Sequence, residues 1–145
     1  MQHKVVVLGT GGTIAGVSKP GDSDLRYEAG RVPVQELLGA AGAPPGIEVH
    51  SQQVAQLDSK NMRFEVWWDL AEQAQAAIDR PDVSGVVITH GTDTMEETAY
   101  FLNAVLRAHK PVVMTGAMRP ATSAHADGPA HLRDALSVAG HSGGS

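Results

Sequence analysis

Two loops concentrate the side chains of this sequence that could do chemistry: Gly9-Thr10-Gly11-Gly12-Thr13 and Thr89-His90-Gly91-Thr92-Asp93-Thr94. Each follows a short apolar run, Val5-Val6-Val7-Leu8 and Val86-Val87-Ile88, of the kind that forms buried parallel strands. Ligands of open α/β sheets collect at the carboxyl ends of such strands. Both ends therefore deliver hydroxyls, a carboxylate and open backbone amides to one crevice, a set suited to acyl chemistry on a small amino-acid-like substrate.

The first loop admits two readings. Its glycines let backbone approach a ligand closely, and Thr13 would hold its hydroxyl at the crevice mouth as a nucleophile. A threonine hydroxyl needs a proton acceptor or relay nearby to act so. Alternatively, Thr10 and Thr13 merely satisfy turn amides. In the second loop Asp93 could be only a helix cap. Beside Thr92 at the end of a buried strand it could instead bind a substrate ammonium through a charge-assisted hydrogen bond, while amides at the helix start hold an oxyanion. His90 invites a base role, but a strand-end histidine is more often packed and hydrogen-bonded, and the latter reading is preferred.

The elements that must position these loops alternate. A strand over 5–8 leads into the first loop and a polar stretch reaching about Arg31. A helix follows over 34–41, with Val34, Leu37, Leu38 and Ala41 on one face, and it stops at Gly42-Ala43-Pro44-Pro45-Gly46. Ile47 to Leu57 reads as a strand. Met62, Val66, Leu70, Ala74 and Ile78, widened by Trp67 and Ala77, stripe a helix over about 62–79. Next come a strand over 85–89 and a helix over 95–107 with Met95, Thr98, Ala99, Leu102, Val105 and Leu106 inward. Thr94 and Glu97 have capping-box spacing at its start, and Asp93 with Glu96 would serve nearly as well. A strand over 111–115, a loop over 116–127 and a helix over 129–139 complete the pattern. The fold class is α/β: an open, mainly parallel sheet whose right-handed crossovers place helices on both faces, a flavodoxin- or Rossmann-like three-layer arrangement.

Bulk properties exclude several functions. The 145 residues fit one domain, large enough to bury about 70% of its unfolded surface. A net charge of −5 gives no electrostatic support to a nucleic-acid or anionic-membrane partner. No cysteine is present, so thiol nucleophiles, disulfides and thiolate metal sites are out. No apolar stretch approaches the roughly 18 residues of a membrane span. The chain is expected to be cytoplasmic, with no leader before the first strand. His125, His131 and Asp127 lie near one another, but without paired-ligand spacing no metal is expected. Gly9-x-Gly11 opens a dinucleotide fingerprint, yet the third glycine position is Ile14, and a P-loop would need Gly-Lys-Ser/Thr. No cofactor is expected, and a flavodoxin-like cofactor binder is the weakest reading.

With these motifs in place, a resemblance emerges. Val6 to Gly16, VVLGTGGTIAG, resembles the first signature of the bacterial-type L-asparaginase (asparaginase/glutaminase) family, and Ile88 to Ala99, ITHGTDTMEETA, resembles the second. PVVMTGAMRP over 111–120 and Ala126-Asp127-Gly128-Pro129 continue it over almost the whole chain. The resemblance implies that Thr13 is the nucleophile and that Tyr27 sits on a mobile lid, a segment to which Gly12, Gly16, Gly21 and Gly30 give hinge freedom. It implies that Ser59, with Asp58 in the same loop, holds the substrate α-carboxylate. Asp93 would bind the α-ammonium, Thr92 would be the second active-site threonine, and the Ala117 backbone carbonyl would face the substrate amide.

The implied reaction is double displacement: Thr13 forms a β-aspartyl ester, ammonia leaves, and water activated with help from Thr92 releases aspartate. The substrate would be L-asparagine, or L-glutamine, and the full-length family implies a homo-oligomer. Two departures qualify this. The lysine that activates Thr92 in the family, with Asp93 completing the catalytic set, lies beyond residue 145, and Lys60 beside Ser59 does not match it by motif. The family's smaller C-terminal domain is also outside the chain. Residues 1–140 are thus expected to form a truncated N-terminal domain and 141–145 a flexible Gly/Ser tail. Truncation would leave a sheet edge and part of the last helix's apolar face (Leu132, Leu136, Val138) uncovered. The alternative function is a catalytically silent amino-acid-binding or scaffold fragment.

Overall fold

The computed structural model describes residues 3–141. Its main sheet has four parallel strands, β1 (His3–Gly11), β4 (Ile47–Leu57), β5 (Val83–Thr89) and β6 (Val112–Thr115), in the order β4-β1-β5-β6. Gly9 stands opposite Thr89, and Thr89 opposite Thr115, so the carboxyl ends of three strands finish level. At the other neighbour the register shifts between Gly9 and Gly11, bringing Gly11 opposite Leu57. That irregularity lets the β1 and β4 ends run out together at the same rim.

Valines and leucines fill the sheet because a parallel strand is covered on both faces. On one face Val5 and Val7 pack with α1 (Val34–Ala41) and α4 (Gly128–His141). On the other, Val6, Leu8, Val86 and Ile88 pack with α2 (Phe64–Ile78) and α3 (Met95–Val105). The expected three-layer α/β architecture is what forms. Gly85 makes the α4 side close-packed, since a β-carbon there would run into the Ala139 backbone. Val34 opens α1 by donating its amide to the Gln53 side chain on β4 at 2.7 Å, a cap drawn from a neighbouring strand.

Several boundaries differ from the sequence expectation for identifiable reasons. α2 starts at Phe64 rather than about Met62, because Ser59–Asn61 form a 3-10 turn that the Met62 amide closes on the Ser59 carbonyl. α3 ends at Val105, and of its expected inward face only Thr98 and Leu102 are buried; Ala99 and Val105 are exposed. Thr94 makes no side-chain cap bond, so the expected capping box does not form. Leu132 and Leu136 of α4 are buried, against expectation, whereas Val138 is exposed. Of the tail expected over 141–145, His141 closes α4 and the other four residues lie outside the described residues. Between β1 and α1 the polar stretch contains a two-stranded antiparallel ribbon, β2 (Val17–Ser18) and β3 (Tyr27–Glu28), that periodicity did not reveal.

Candidate active site

The rim carrying the carboxyl ends of β1, β4 and β5 is assembled by close backbone approach. Gly12, at a φ of +83°, turns the chain out of β1, and its amide donates to the Leu57 carbonyl at 2.8 Å. A β-carbon on Gly12 would lie 2.5 Å from the Gly91 Cα. One on Gly91 would lie 2.7 Å from the Ser59 Cβ. The loops bearing Thr13 and Thr92–Asp93 therefore abut backbone to backbone, and the Ser59 side chain packs directly on Gly91. A fourth joins them: a β-carbon on Gly116 would meet the His90 carbonyl at 2.7 Å and the Thr92 methyl at 3.4 Å.

Thr13 begins a 3-10 turn over Thr13–Ala15 and is nearly buried, with 9% of its surface accessible. Its Oγ1 is 2.7 Å from Tyr27 Oη, and either hydroxyl can donate. Tyr27 itself is 38% exposed. Its ring rests on Gly16, where a β-carbon would lie 2.9 Å from Tyr27 Cδ2 and 3.2 Å from Pro120. Gly16 has an extended backbone, φ −81° and ψ 151°, so what it supplies is room for the tyrosine rather than the hinge freedom anticipated.

Ser59 is 2% exposed and heads its own turn. Asp58 caps that turn, its Oδ1 accepting the Lys60 amide at 3.1 Å, while Lys60 Nζ stands 3.9 Å from the other oxygen. Thr94 donates its hydroxyl to the Ser59 carbonyl at 2.9 Å, tying the second loop to the first turn of this segment. Thr92 and Asp93 are exposed at the rim. Ala117 is buried, and its loop is fixed by Asp127, whose carboxylate accepts the Met118 and Arg119 amides at 2.9 and 3.0 Å. Burial raises the Asp127 pKa, but these amide bonds outweigh it and hold the carboxyl below its ordinary range.

His90 is fully buried and hydrogen-bonded through both ring nitrogens, to the Gly91 carbonyl at 2.6 Å and to Thr98 Oγ1 at 2.8 Å. Burial lowers its pKa, with the Gly91 bond and Glu97 acting in the opposite sense. The packed reading of this histidine holds. His131 lies 3.6 Å from Asp127 but is engaged with the Gly116 carbonyl at 3.0 Å. Among the described residues no cluster of three His, Cys, Asp or Glu is placed to hold a metal ion, and no helix is long and apolar enough to cross a membrane.

The β2–β3 ribbon is docked by residues that sequence reasoning did not single out. Ala121 donates its amide to the Gly16 carbonyl at 2.9 Å, and Ser18 donates its amide to Thr122 Oγ1 at 2.9 Å. Ser123 donates its hydroxyl to Asp24 at 2.7 Å. Nothing in the spacing of Asp24 and Ser123, which lie 99 residues apart, could have paired them.

This geometry agrees with comparison to known proteins: residues 4–145 match the family described as asparaginase, N-terminal. The chain belongs to that asparaginase family. L-asparaginase 2 of Bacillus subtilis is 44% identical over 135 residues, covering 92% of this chain and 36% of the relative. A glutaminase-asparaginase of Acinetobacter glutaminasificans is 42% identical over 139 residues, covering 95% and 42%. Among solved structures, the "Probable Cytoplasmic L-asparaginase" of Campylobacter jejuni superposes with a TM-score of 0.86 at 43% identity, covering 93% of this chain and 41% of that one. This asparaginase-family chain thus spans between about a third and two fifths of the relatives it matches.

Proposed function

We propose that the chain carries the nucleophile and most of the substrate clamp of an amidohydrolase that converts L-asparagine to L-aspartate and ammonia. The observation that carries this is the 2.7 Å contact between Thr13 Oγ1 and Tyr27 Oη, at the rim where Gly12, Gly91 and Ser59 meet. Thr13 attacks the side-chain amide carbon, its proton passes through the hydroxyl network to the amide nitrogen, and ammonia leaves from the tetrahedral centre to give a β-aspartyl ester. Water helped by Thr92 then releases aspartate. Asp93 holds the substrate ammonium by a charge-assisted hydrogen bond. Ser59 holds its carboxylate, with Asp58 shaping that turn, and the Ala117 carbonyl receives the amide NH₂. The Tyr27 lid supplies orientation and excludes water.

Both asparaginase and glutaminase-asparaginase occur among the relatives' names, so L-glutamine belongs in the same substrate class. The proposal extends to cytoplasmic residence and to homo-oligomerisation of the full-length protein. A second reading, binding without turnover, needs only Ser59 and Asp93 as a clamp on a free amino acid.

One assay separates them. Ammonia release from L-asparagine well above buffer, abolished by Thr13→Ala, establishes the enzyme. Calorimetric binding of L-aspartate without ammonia release establishes the silent binder. Neither signal removes both.

A further inference from the structure

We infer that His90 is a positioning residue: as a neutral, Nδ1-protonated imidazole it fixes the Gly91–Thr92 peptide and couples it, through Thr98, to Trp67 on α2. This inference rests on the reading of Thr92 and Asp93 as substrate-binding residues.

Hydrogen-bond polarity follows from the partners. Nδ1 lies 2.6 Å from the Gly91 carbonyl oxygen, which can only accept, so Nδ1 carries a proton. At the other end Trp67 Nε1, which can only donate, lies 2.8 Å from Thr98 Oγ1. Thr98 accepts from the indole, and because a neutral ring protonated at Nδ1 leaves Nε2 bare, its single proton turns to His90 Nε2, 2.8 Å away. The chain then runs in one direction, Trp67 to Thr98 to His90 to Gly91, with each N–H and O–H donor used once. A second proton on the imidazole would reverse the Thr98 link. His90 and Thr98 are both fully buried, and burial favours the neutral ring. Stacking on Phe101, at a centroid separation of 5.0 Å and 16° between planes, holds the indole.

The consequence lies in the peptide that His90 grips. A trans peptide points its N–H opposite to its C=O. With the Gly91 carbonyl drawn inward to the imidazole, the Thr92 amide is turned away from it. Gly91 is itself wedged between Gly12 and Ser59, so rotation of this one peptide would disturb the loop that carries Thr92 and Asp93. Trp67 lies on the helix that follows the Ser59 turn, so the same chain links the supports of both proposed substrate clamps.

Two measurements on the 145-residue chain test this. In unliganded protein labelled with ¹⁵N-histidine, near neutral pH, His90 Nδ1 must resonate as the protonated nitrogen and Nε2 as the bare one. The opposite tautomer, or an imidazolium, overturns the inference whether or not any ligand binds. Second, His90→Asn keeps an N–H where Nδ1 stands, whereas His90→Gln places its amide near the Nε2 position. His90→Gln should weaken L-aspartate binding about tenfold or more, as expected for a buried carbonyl left unpaired, and speed hydrogen exchange at the Thr92 and Asp93 amides. His90→Asn should stay within about threefold of wild type on both readouts. Equal effects of the two variants overturn the positioning role. If wild type binds no aspartate, the functional reading fails, and the tautomer and exchange comparison still decide the His90 network.

Discussion

Gly12 and Gly91 approach so closely that a β-carbon on the first would lie 2.5 Å from the Cα of the second. Ser59 takes the next place in this stack, its Oγ 2.5 Å from where a β-carbon on Gly91 would be. Three segments distant in sequence thus meet through atoms that cannot be enlarged. The proposed nucleophile, carboxylate holder and ammonium holder each leave from one of these contacts, so the spacing of the site is set by how closely the two glycines and Ser59 pack.

A substitution cycle measures that packing. Gly91→Ala must push Ser59 aside, an overpacking cost of about 1–3 kcal/mol, read by urea denaturation. Adding Ser59→Gly removes the obstructing side chain and should recover a large part of the loss, giving a coupling energy of about 0.5–3 kcal/mol. Gly12→Ala collides with backbone at a φ of +83°, so Ser59→Gly should recover nothing there. Additive effects of Gly91→Ala and Ser59→Gly would mean that the two residues do not touch.

Much of this arrangement was legible in the sequence because it is local. The apolar runs before the two loops locate β1 and β5, and turn chemistry at Gly42–Gly46 ends α1 at Ala41, as observed. Thr13 and Asp93 stand out because they follow glycines at strand ends. What escaped depends on partners distant in the chain. Thr94 looks like a helix cap, but its hydroxyl goes to the Ser59 carbonyl instead. Gly16 looks like a hinge, but it is the seat of the Tyr27 ring. Val105 has the right spacing for burial yet is 44% exposed, since helical periodicity does not say how far neighbouring elements extend over a face.

The ribbon carrying Tyr27 offers a second test. Asp24 accepts from Ser123 and lies 4.0 Å from Arg119, and these contacts pin the ribbon that carries Tyr27. Asp24 and Arg119 are partly exposed, so Asp24→Ala should cost no more than about 1 kcal/mol of global stability. It should nevertheless raise cleavage after Arg26 in limited trypsin digestion severalfold, because local opening of the ribbon needs no global unfolding. Unchanged cleavage would show that the Ala121–Gly16 and Ser18–Thr122 bonds suffice to dock it.

Asp127 secures the Ala117 loop through two amide bonds, which an asparagine cannot reproduce because its single carbonyl oxygen replaces two acceptors. Asp127→Asn is expected to destabilise the chain by about 1–3 kcal/mol near neutral pH. The lowered Asp127 pKa sets the sign of the pH dependence. Its contribution is fully present above the ordinary aspartate value of about 3.9 and is lost as pH falls through the lower folded value. Wild type and variant should therefore converge in strongly acidic urea titrations, and a gap that stays constant down to low pH would contradict this assignment.

His90 gives the last expected outcome, at milder acidity. Burial lowers its pKa in the folded state, so below the ordinary imidazole value of about 6.5 the unfolded chain binds the proton more readily than the folded one. Stability from the neutral ring is complete above that value and falls as pH drops towards the folded pKa. The six other histidines contribute to both proteins alike, so the difference between wild type and His90→Asn isolates this group. Between about pH 7 and pH 5 wild type should lose stability faster than His90→Asn. Parallel pH profiles would mean that His90 takes up its proton as easily in the folded protein as in the unfolded chain, and the directional Trp67–Thr98–His90 chain would then have no energetic weight.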